Sequence, residues 1–210
     1  MAIPAIPSYP LPTTLPDPAV SWGIDPARAA ILVHDMQEYF LRAYSLTEEP
    51  MSAVLPNIRA LIDAADCQGI PVFFSAQPPA QHPLRRGLLS EFWGEGMGTD
   101  EDAAIVEPLA PREGHTVLTK WRYSAFERTD LRETLAYAGR DQLIITGVYG
   151  HMGCKVTAVD AFMSDVQAFL VADAIADFTR EDHEETLDWV GRRCGRVLTT
   201  AAILDMIEER

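Results

Sequence analysis

Short apolar segments alternate with helical stretches along most of this chain. Six segments are predicted as strands, at 29–34, 71–76, 116–119, 142–146, 168–172 and 196–199. Helices are predicted at 53–68, 129–138, 153–164, 181–193 and 200–209. Strands that are apolar on both faces and separated by helices are typical of a parallel sheet covered on both sides. The pattern therefore predicts a Rossmann-like α/β fold of three layers, α/β/α, around a six-stranded parallel sheet.

Two segments lack this alternation. The first twenty residues contain six prolines, which predicts an extended N-terminal arm over 1–20. The segment 77–114 is rich in proline and glycine and predicts a long active-site loop with short helical turns. The whole chain has 210 residues, 48% of them hydrophobic, which is enough for one substantial core. We therefore expect a single domain over 21–210.

Charge and cysteine content limit the partners. A net charge of −14 disfavours nucleic acid and anionic membrane surfaces, since both require clustered positive charge. The sequence contains no apolar run long enough to span a membrane. Three cysteines and no charged-then-apolar leader disfavour a secreted disulfide framework. We expect a cytoplasmic protein, a homodimer, whose ligand, if anionic, is held by a few local cations.

Polar residues follow the predicted strands. In open parallel sheets, ligands bind beyond the carboxyl ends of the strands. The residues at these positions are Asp35, Gln37, Gln77, Lys120, Arg122, Tyr149, His151 and Gly153. Lysine is rare here, because the 17 basic residues include only Lys120 and Lys155. Lys155 falls inside a helix pattern and is interpreted as a surface residue, whereas Lys120 ends a strand. Asp35 and Lys120 could form a catalytic pair or a structural ion pair.

Several segments resemble a known family. They are "ILVHDMQEYF", "SAQP", "RGLLSEFWG", "LTKWRYSAF", "DQLIITGVYGHMG" and "FLVADAIADF", and they resemble, in order, segments of the isochorismatases, including the aminodeoxyisochorismate hydrolases of phenazine pathways. The resemblance implies an isochorismatase-like hydrolase fold and a small anionic chorismate-derived substrate. It implies hydrolysis of the enolpyruvyl vinyl ether of isochorismate or 2-amino-2-deoxyisochorismate, in siderophore, phenazine or related secondary-metabolite biosynthesis. The products would be pyruvate and a trans-dihydro-hydroxybenzoate or anthranilate. "RRGLLSEFWG" and the absence of a carrier-protein segment after residue 210 favour the amino substrate, or use of both.

The broader superfamily of cysteine hydrolases, such as nicotinamidases, uses an Asp, Lys and Cys triad. In this chain the nucleophile position falls on Gly153, and Cys154 follows one residue later. On a helix, one residue turns the side chain by about 100°. We therefore predict that the Cys154 side chain points away from the substrate and packs against neighbouring residues, and that the site has no nucleophile. The Asp-x-His metal element of that superfamily is also missing from "SAQPPAQHP", where His82 is interpreted as a surface loop residue. We expect no metal and no cofactor.

Without a nucleophile, one general acid suffices for vinyl ether hydrolysis, and Asp35 is the candidate. Met36, Tyr39, Phe40 and Trp93 could provide the apolar setting that keeps a carboxylic acid protonated. Lys120 would oppose this, because a nearby ammonium lowers a carboxyl pKa, unless Lys120 pairs mainly with the substrate carboxylate or a bound dianion raises the pKa of Asp35.

The resemblance also implies the substrate-binding residues. Gln77, Arg86 and Lys120 would bind substrate carboxylates and ring oxygens, Phe40 and Trp93 would line the ring pocket, and Tyr149 and Gly153 would contribute backbone or edge contacts. The neighbouring Arg85 makes a solvated loop charge an alternative interpretation of Arg86, and core packing is an alternative for Trp93 and Tyr149. A cis peptide bond between Val148 and Tyr149 is implied as well.

Two other functions remain open at this point. One is a cysteine amidase that uses Cys154. The other is a non-catalytic docking module for a peptide-synthetase assembly.

Overall fold

A computed structural model describes residues 3–208 of the protein. Its strands are Ala29–His34 (β1), Val72–Ala76 (β2), Thr116–Thr119 (β3), Gln142–Val148 (β4), Gln167–Ala176 (β5) and Gly195–Leu198 (β6). Its α-helices are Glu38–Leu41 (α1), Met51–Gln68 (α2), Pro83–Arg86 (α3), Leu89–Trp93 (α4), Asp100–Ala103 (α5), Leu131–Tyr137 (α6), Lys155–Phe162 (α7), Arg180–Arg193 (α8) and Thr200–Glu208 (α9). A 3₁₀ turn covers Glu107–Leu109, and a π-helical turn covers Gly150–Cys154. The parts of the predicted arm and last helix at residues 1, 2 and 209 lie outside the described residues.

The six strands form one parallel sheet in the order β3-β2-β1-β4-β5-β6. This confirms the predicted sheet. The order reverses between β1 and β4, because the strands before β4 extend the sheet in one direction and those after it in the other. In such sheets the crevice beyond the carboxyl ends at the reversal is where ligands bind.

Alternate residues of β1 enter two separate cores. Ile31 and Val33 pack in a cluster with residues of α2 and α9, whereas Leu32 packs in a second cluster with residues of α6, α7 and α8. Successive side chains of a strand point to opposite faces of the sheet. Helices therefore cover both faces, which confirms the predicted three layers.

Strand β3 and the helix predicted at 153–164 differ from the sequence prediction, and strand β5 continues to Ala176, beyond its predicted end at 172. Strand β3 forms an edge of the sheet, and only Leu118 of its four residues is buried, while Val117 is 49% exposed. The expectation that every strand is apolar on both faces is wrong for β3, since the helices do not cover this edge. The helix predicted at 153–164 is preceded by the π-helical turn and begins as an α-helix at Lys155.

The proline-rich arm packs against the domain that follows it in the chain. Residues 3–18 form no helix or strand, yet Ile6 and Tyr9 are buried. The backbone N–H groups of Ile6 and Tyr9 donate to the carbonyl groups of Ala43 and Glu49 at 2.7 and 3.0 Å. Among the helices of residues 3–208, none is both long and apolar enough to cross a membrane.

Candidate active site

A cavity lies beyond the carboxyl ends of the central strands. It encloses about 580 Å³ of empty space, including the part that opens to solvent. Each of the eight residues predicted for the site lines it: Asp35, Phe40, Gln77, Arg86, Trp93, Lys120, Tyr149 and Gly153. The strand ends bring most of these residues together, because β1, β2, β3 and β4 are successive neighbours whose carboxyl ends share one edge.

The turn after β1 directs Asp35 into this cavity. Its backbone φ is +48°, a left-handed conformation that is uncommon outside glycine but most tolerated by Asn and Asp. The Asp35 N–H donates to the Ser75 carbonyl at 3.1 Å, and the Ser75 hydroxyl donates to Oδ1 of Asp35 at 2.7 Å. Strand β2 thus fixes both the backbone and the carboxylate of Asp35.

Lys120 and Asp35 form an almost completely buried pair. The Lys120 Nζ lies 2.7 Å from Oδ2 of Asp35, and the two side chains are 1% and 7% exposed. Burial by itself raises the pKa of Asp35, but the ammonium of Lys120, together with the Ser75 hydroxyl, outweighs it. The resulting pKa is below the usual value, so Asp35 is a carboxylate at neutral pH in the free protein.

Of the two adjacent arginines, Arg86 faces the cavity. Arg86 is 5% exposed and donates through Nε to the Gly94 carbonyl at 2.6 Å. Within residues 3–208, no carboxylate forms an ion pair with Arg86. Arg85 is exposed and lies over the Trp121 ring, 4.8 Å from its centroid. A buried guanidinium without an anionic partner at the wall of a cavity is well suited to bind a carboxylate.

Aromatic side chains form the apolar part of the wall. The Trp93 Nε1–H donates to the Tyr123 hydroxyl at 2.7 Å, and the Tyr149 hydroxyl donates to the Phe40 carbonyl at 3.0 Å. The Phe178 ring packs edge-on against Tyr149, with centroids 4.6 Å apart. Hydrogen bonds and ring packing therefore hold these walls in place.

Met36 was predicted to help form the apolar surroundings of Asp35 in the cavity, and this prediction is wrong. Tyr39, Phe40 and Trp93 line the cavity as expected, but Met36 belongs to the core cluster and is not among the lining residues of the described chain. The bond between Val148 and Tyr149 is cis, as the resemblance implied.

Gln37 holds the loop that carries Gln77. Its amide oxygen accepts from the Gln77 N–H at 2.9 Å, and its amide nitrogen donates to the carbonyls of Gln77 and Ala103 at 2.9 and 2.7 Å. Gln37 is fully buried, so its polar atoms need these partners. The Gln77 side chain then lies near Asp35, with Nε2 3.4 Å from Oδ2.

The side chain of Cys154 points away from the cavity, which confirms the predicted orientation. It is 0% exposed, packs in the cluster that includes Ala158 and Leu187, and places Sγ 3.9 Å from the Thr146 carbonyl. Burial raises its thiol pKa well above the usual value. Neither access nor ionisation favours Cys154 as a nucleophile.

Sequence reasoning missed several residues of the site. His34, Tyr123 and Phe178 line the cavity, and Ser75 bonds to Asp35. A signal existed for His34 and Ser75, because each is a polar residue inside an otherwise apolar strand segment. Nothing in the local sequence distinguishes Tyr123 or Phe178 from core aromatics.

A second polar cluster lies beside the π-helical turn. His151, Asp177 and Asp182 each place one potential ligand atom within 4.8 Å of the others. The Asp177 carboxylate already accepts the backbone N–H of His151 at 2.6 Å and that of Phe178 at 2.9 Å, and it also pairs with the His151 ring. We therefore assign this cluster to the support of the turn that carries Gly153.

Comparison with known proteins places this geometry in a family. The chain matches the Isochorismatase domain family over residues 29–202. It is 47% identical over 211 residues to "Isochorismatase" of Bacillus subtilis (strain 168), covering 99% of this chain and 68% of that protein. It is 46% identical over 205 residues to "Phenazine biosynthesis protein PhzD" of Pseudomonas fluorescens, and the match covers 96% of this chain and 98% of that protein. A cysteine hydrolase from Pseudomonas syringae pv. phaseolicola 1448A has the same fold, with a TM-score of 0.84, 24% identity and coverage of 92% and 98%. This protein is a hydrolase that belongs to the isochorismatase family.

Proposed function

We propose that the protein hydrolyses the enolpyruvyl vinyl ether of isochorismate or of 2-amino-2-deoxyisochorismate and releases pyruvate. The observation that carries the proposal is the buried contact between Asp35 and Lys120 at the wall of a cavity where glycine holds the nucleophile position. The relative named isochorismatase and the relative named for phenazine biosynthesis match this chain about equally, at 47% and 46% identity, so the identities do not separate the two substrates. Both substrates carry the enolpyruvyl arm and a ring carboxylate.

The reaction needs one proton delivered to carbon. Protonated Asp35 gives its proton to the terminal methylene carbon of the enolpyruvyl group, and the C=C electron pair forms the new C–H bond. The adjacent carbon becomes an oxocarbenium ion, to which water adds, and the proton lost by water returns to the Asp35 carboxylate. In the resulting hemiketal the bond to the ring oxygen breaks, the hydroxyl loses its proton to form the keto group of pyruvate, and the ring oxygen gains a proton to form the ring alcohol. A positioned general acid typically contributes about 10²–10⁴-fold to such a step.

Asp35 must gain a proton before it can act, because its pKa is lowered in the free protein. Binding of a dianionic substrate would raise this pKa. A substrate carboxylate at the Lys120 ammonium competes with Asp35 for that charge, and the added negative charge raises the pKa of Asp35. Closure of the cavity by substrate also removes water from the carboxylate, which acts in the same direction.

The remaining residues bind and orient the substrate. Arg86, which forms no ion pair with any carboxylate of residues 3–208, would pair with a second carboxylate, and a planar guanidinium suits bidentate contact with it. The Gln77 amide lies within reach of the same region of the cavity. Phe40, Trp93 and Tyr149 bound the space for the ring, and Gly153 contributes backbone contacts at the cavity wall. Their arrangement before binding reduces the entropy lost when the substrate is oriented.

The alternative of a cysteine amidase conflicts with the burial and raised pKa of Cys154. A non-catalytic docking module would not require a buried acid and two buried cations around a cavity. Neither alternative has a supporting observation of comparable weight.

We propose further that the protein acts in the cytoplasm as a homodimer. Leu84, Leu88 and Phe92 are 86%, 72% and 68% exposed in one short stretch of chain. Large exposed apolar side chains in one region are typical of an interaction surface. Analytical ultracentrifugation of the purified protein tests the dimer, and a monomer at all concentrations would refute it.

Incubation with isochorismate and with 2-amino-2-deoxyisochorismate side by side tests the activity. Pyruvate and the ring product are quantified for the wild type and for Asp35→Asn. We expect one pyruvate per ring product with at least one of the two substrates, and much slower release by the variant. Absence of pyruvate from both substrates would refute the proposed function.

A further inference from the structure

The His34 ring occupies the space that a side chain at position 153 would need. A Cβ atom added to Gly153 would lie 2.0 Å from Cε1 of His34, 2.7 Å from Nε2 and 2.8 Å from Nδ1. These distances are far inside van der Waals contact. No side chain fits at position 153, including that of a nucleophilic cysteine, unless the imidazole moves.

The imidazole is held firmly where it is. His34 is 1% exposed, its Nδ1 lies 2.7 Å from the Val148 carbonyl oxygen, and its Nε2 lies 3.1 Å from the Tyr123 carbonyl oxygen. Both partners are acceptors, and a neutral ring donates to one of them. The backbone around the ring is also tightly packed, since a Cβ on Gly147 would lie 2.1 Å from the His34 carbonyl oxygen.

These contacts connect three walls of the cavity. His34 ends β1 and precedes Asp35, Val148 ends β4 and precedes Tyr149, and Tyr123 follows Lys120 by three residues. The ring itself lines the cavity, and its Nδ1 lies 3.9 Å from Oδ1 of Asp35. A change in the position of the His34 ring is therefore expected to displace Asp35, Tyr149 and the loop that follows Lys120.

We propose that His34 is a positioning and specificity-determining residue that fills the nucleophile position and so restricts the site to acid chemistry. His34 and Gly153 act as a complementary pair, with a large side chain on β1 and none on the π-helical turn. Removing the ring creates room for a thiol at position 153. It also releases the Val148 and Tyr123 carbonyls, so that the parts of the cavity wall that carry them shift.

The first test measures the complementarity and needs no substrate. It uses a Cys67→Ser background, because Cys67 is the exposed one of the three free cysteines. Gly153→Cys is compared with His34→Ala/Gly153→Cys for thermal unfolding temperature and for iodoacetamide labelling at position 153, located by peptide mass mapping. We expect a marked fall in unfolding temperature for Gly153→Cys, partial recovery in the double variant, and labelling at least about tenfold faster in the double variant. Equal unfolding temperatures and equal labelling rates in both backgrounds would overturn the proposal.

If Gly153→Cys does not fold, Gly153→Ala takes its place, because its single methyl meets the same ring. Urea unfolding midpoints of Gly153→Ala are measured with His34 present and with His34→Ala. The proposal requires Gly153→Ala to cost less stability when the ring is absent, and equal costs would contradict it.

The second test measures positioning and rests on the proposed function. His34→Ala is expected to lower kcat about a hundredfold with a smaller change in KM, as displacement of catalytic groups by about 1 Å does. His34→Asn keeps an amide that can donate to the Val148 carbonyl and is expected to recover at least about a tenth of the wild-type kcat. Equal kcat for folded His34→Ala and His34→Asn would overturn the positioning role. Inactive wild-type protein would refute the proposed function while the thiol test still decides the His34–Gly153 relationship.

Discussion

The Nζ atom of Lys120 contacts the Oδ2 atom of Asp35 at 2.7 Å at the wall of a cavity that the guanidinium of Arg86 also lines. The pair lies at the ends of β3 and β1, two strands that do not touch, because β2 lies between them. Breaking a buried ion pair by removing one partner typically costs about 3–5 kcal/mol, since a charge is left buried alone. Substitutions for testing the chemistry therefore need to preserve size or charge.

Asp35→Asn preserves size but cannot deliver a proton. We expect turnover to fall by about 10²–10⁴-fold. Substrate binding, measured by isothermal titration calorimetry, should be retained. Asp165→Asn is a matched control, because Asp165 is exposed and also has a positive φ, of 58°. It should keep the activity of the wild type. Near-normal turnover by Asp35→Asn would show that another group donates the proton.

Lys120→Arg keeps the charge but replaces a compact ammonium with a broad planar fork. Lys120 is 1% exposed, so the larger head has to displace Asp35 or the substrate carboxylate. We expect kcat/KM to fall by about tenfold or more. Lys155→Arg, at the other lysine, is the control and should leave activity unchanged. Full activity of Lys120→Arg would assign Lys120 to a structural ion pair.

The lowered pKa of Asp35 makes its contribution to stability depend on pH. A group whose pKa is lower in the folded state stabilises above its unfolded pKa, about 3.9 for Asp, and loses that contribution as the pH falls through the folded value. The free energy of unfolding of the wild type minus that of Asp35→Asn should therefore decrease as the pH falls below about 4. Urea denaturation from neutral to acidic pH measures this difference. A constant difference would contradict the lowered pKa.

His151 should show the opposite dependence. Burial lowers its pKa, but pairing with Asp177 outweighs this effect and the net pKa is raised. Its contribution is fully present below the unfolded pKa, about 6.5, and is lost as the pH rises through the folded value. The stability advantage of the wild type over His151→Gln should thus be greater in mildly acidic than in alkaline buffer. Equal advantages in both buffers would argue against the ionic pairing with Asp177.

Cys154→Ala removes a thiol that contacts the core and not the cavity. We expect most of the pyruvate-forming activity to remain, and the Cys154 thiol of the folded wild type to resist iodoacetamide. Cys67, which is exposed, should react and provides the internal control. Removing a catalytic proton-transfer group typically lowers the rate by about a hundredfold or more. A loss of activity above about a hundredfold in folded Cys154→Ala would therefore support the cysteine mechanism.

The local sequence determined where the sheet elements lie. The segment "AAILVH", apolar except for its last residue, predicted β1 with the bounds that the structure has, because a short run without polar alternation is typical of a strand buried on both faces. The predicted end of β5 at 172 was too early, since the strand continues to Ala176 through Asp173, a polar residue that interrupts the apolar pattern. The carboxylate of Asp173 is satisfied from outside the strand, as it accepts from the N–H and hydroxyl of Thr200.

The sequence by itself also determined that Asp35, Gln77, Lys120 and Tyr149 lie near one another, because parallel strands present their carboxyl ends at one edge. It did not determine which group fills the nucleophile position, since His34 and Gly153 are far apart in the chain and their contact depends on how closely β1 approaches β4. Nor did it determine the ionisation of Asp35. That pKa depends on the distances to Lys120 and Ser75, and electrostatic and hydrogen-bond energies change steeply over the fractions of an ångström that only tertiary packing fixes.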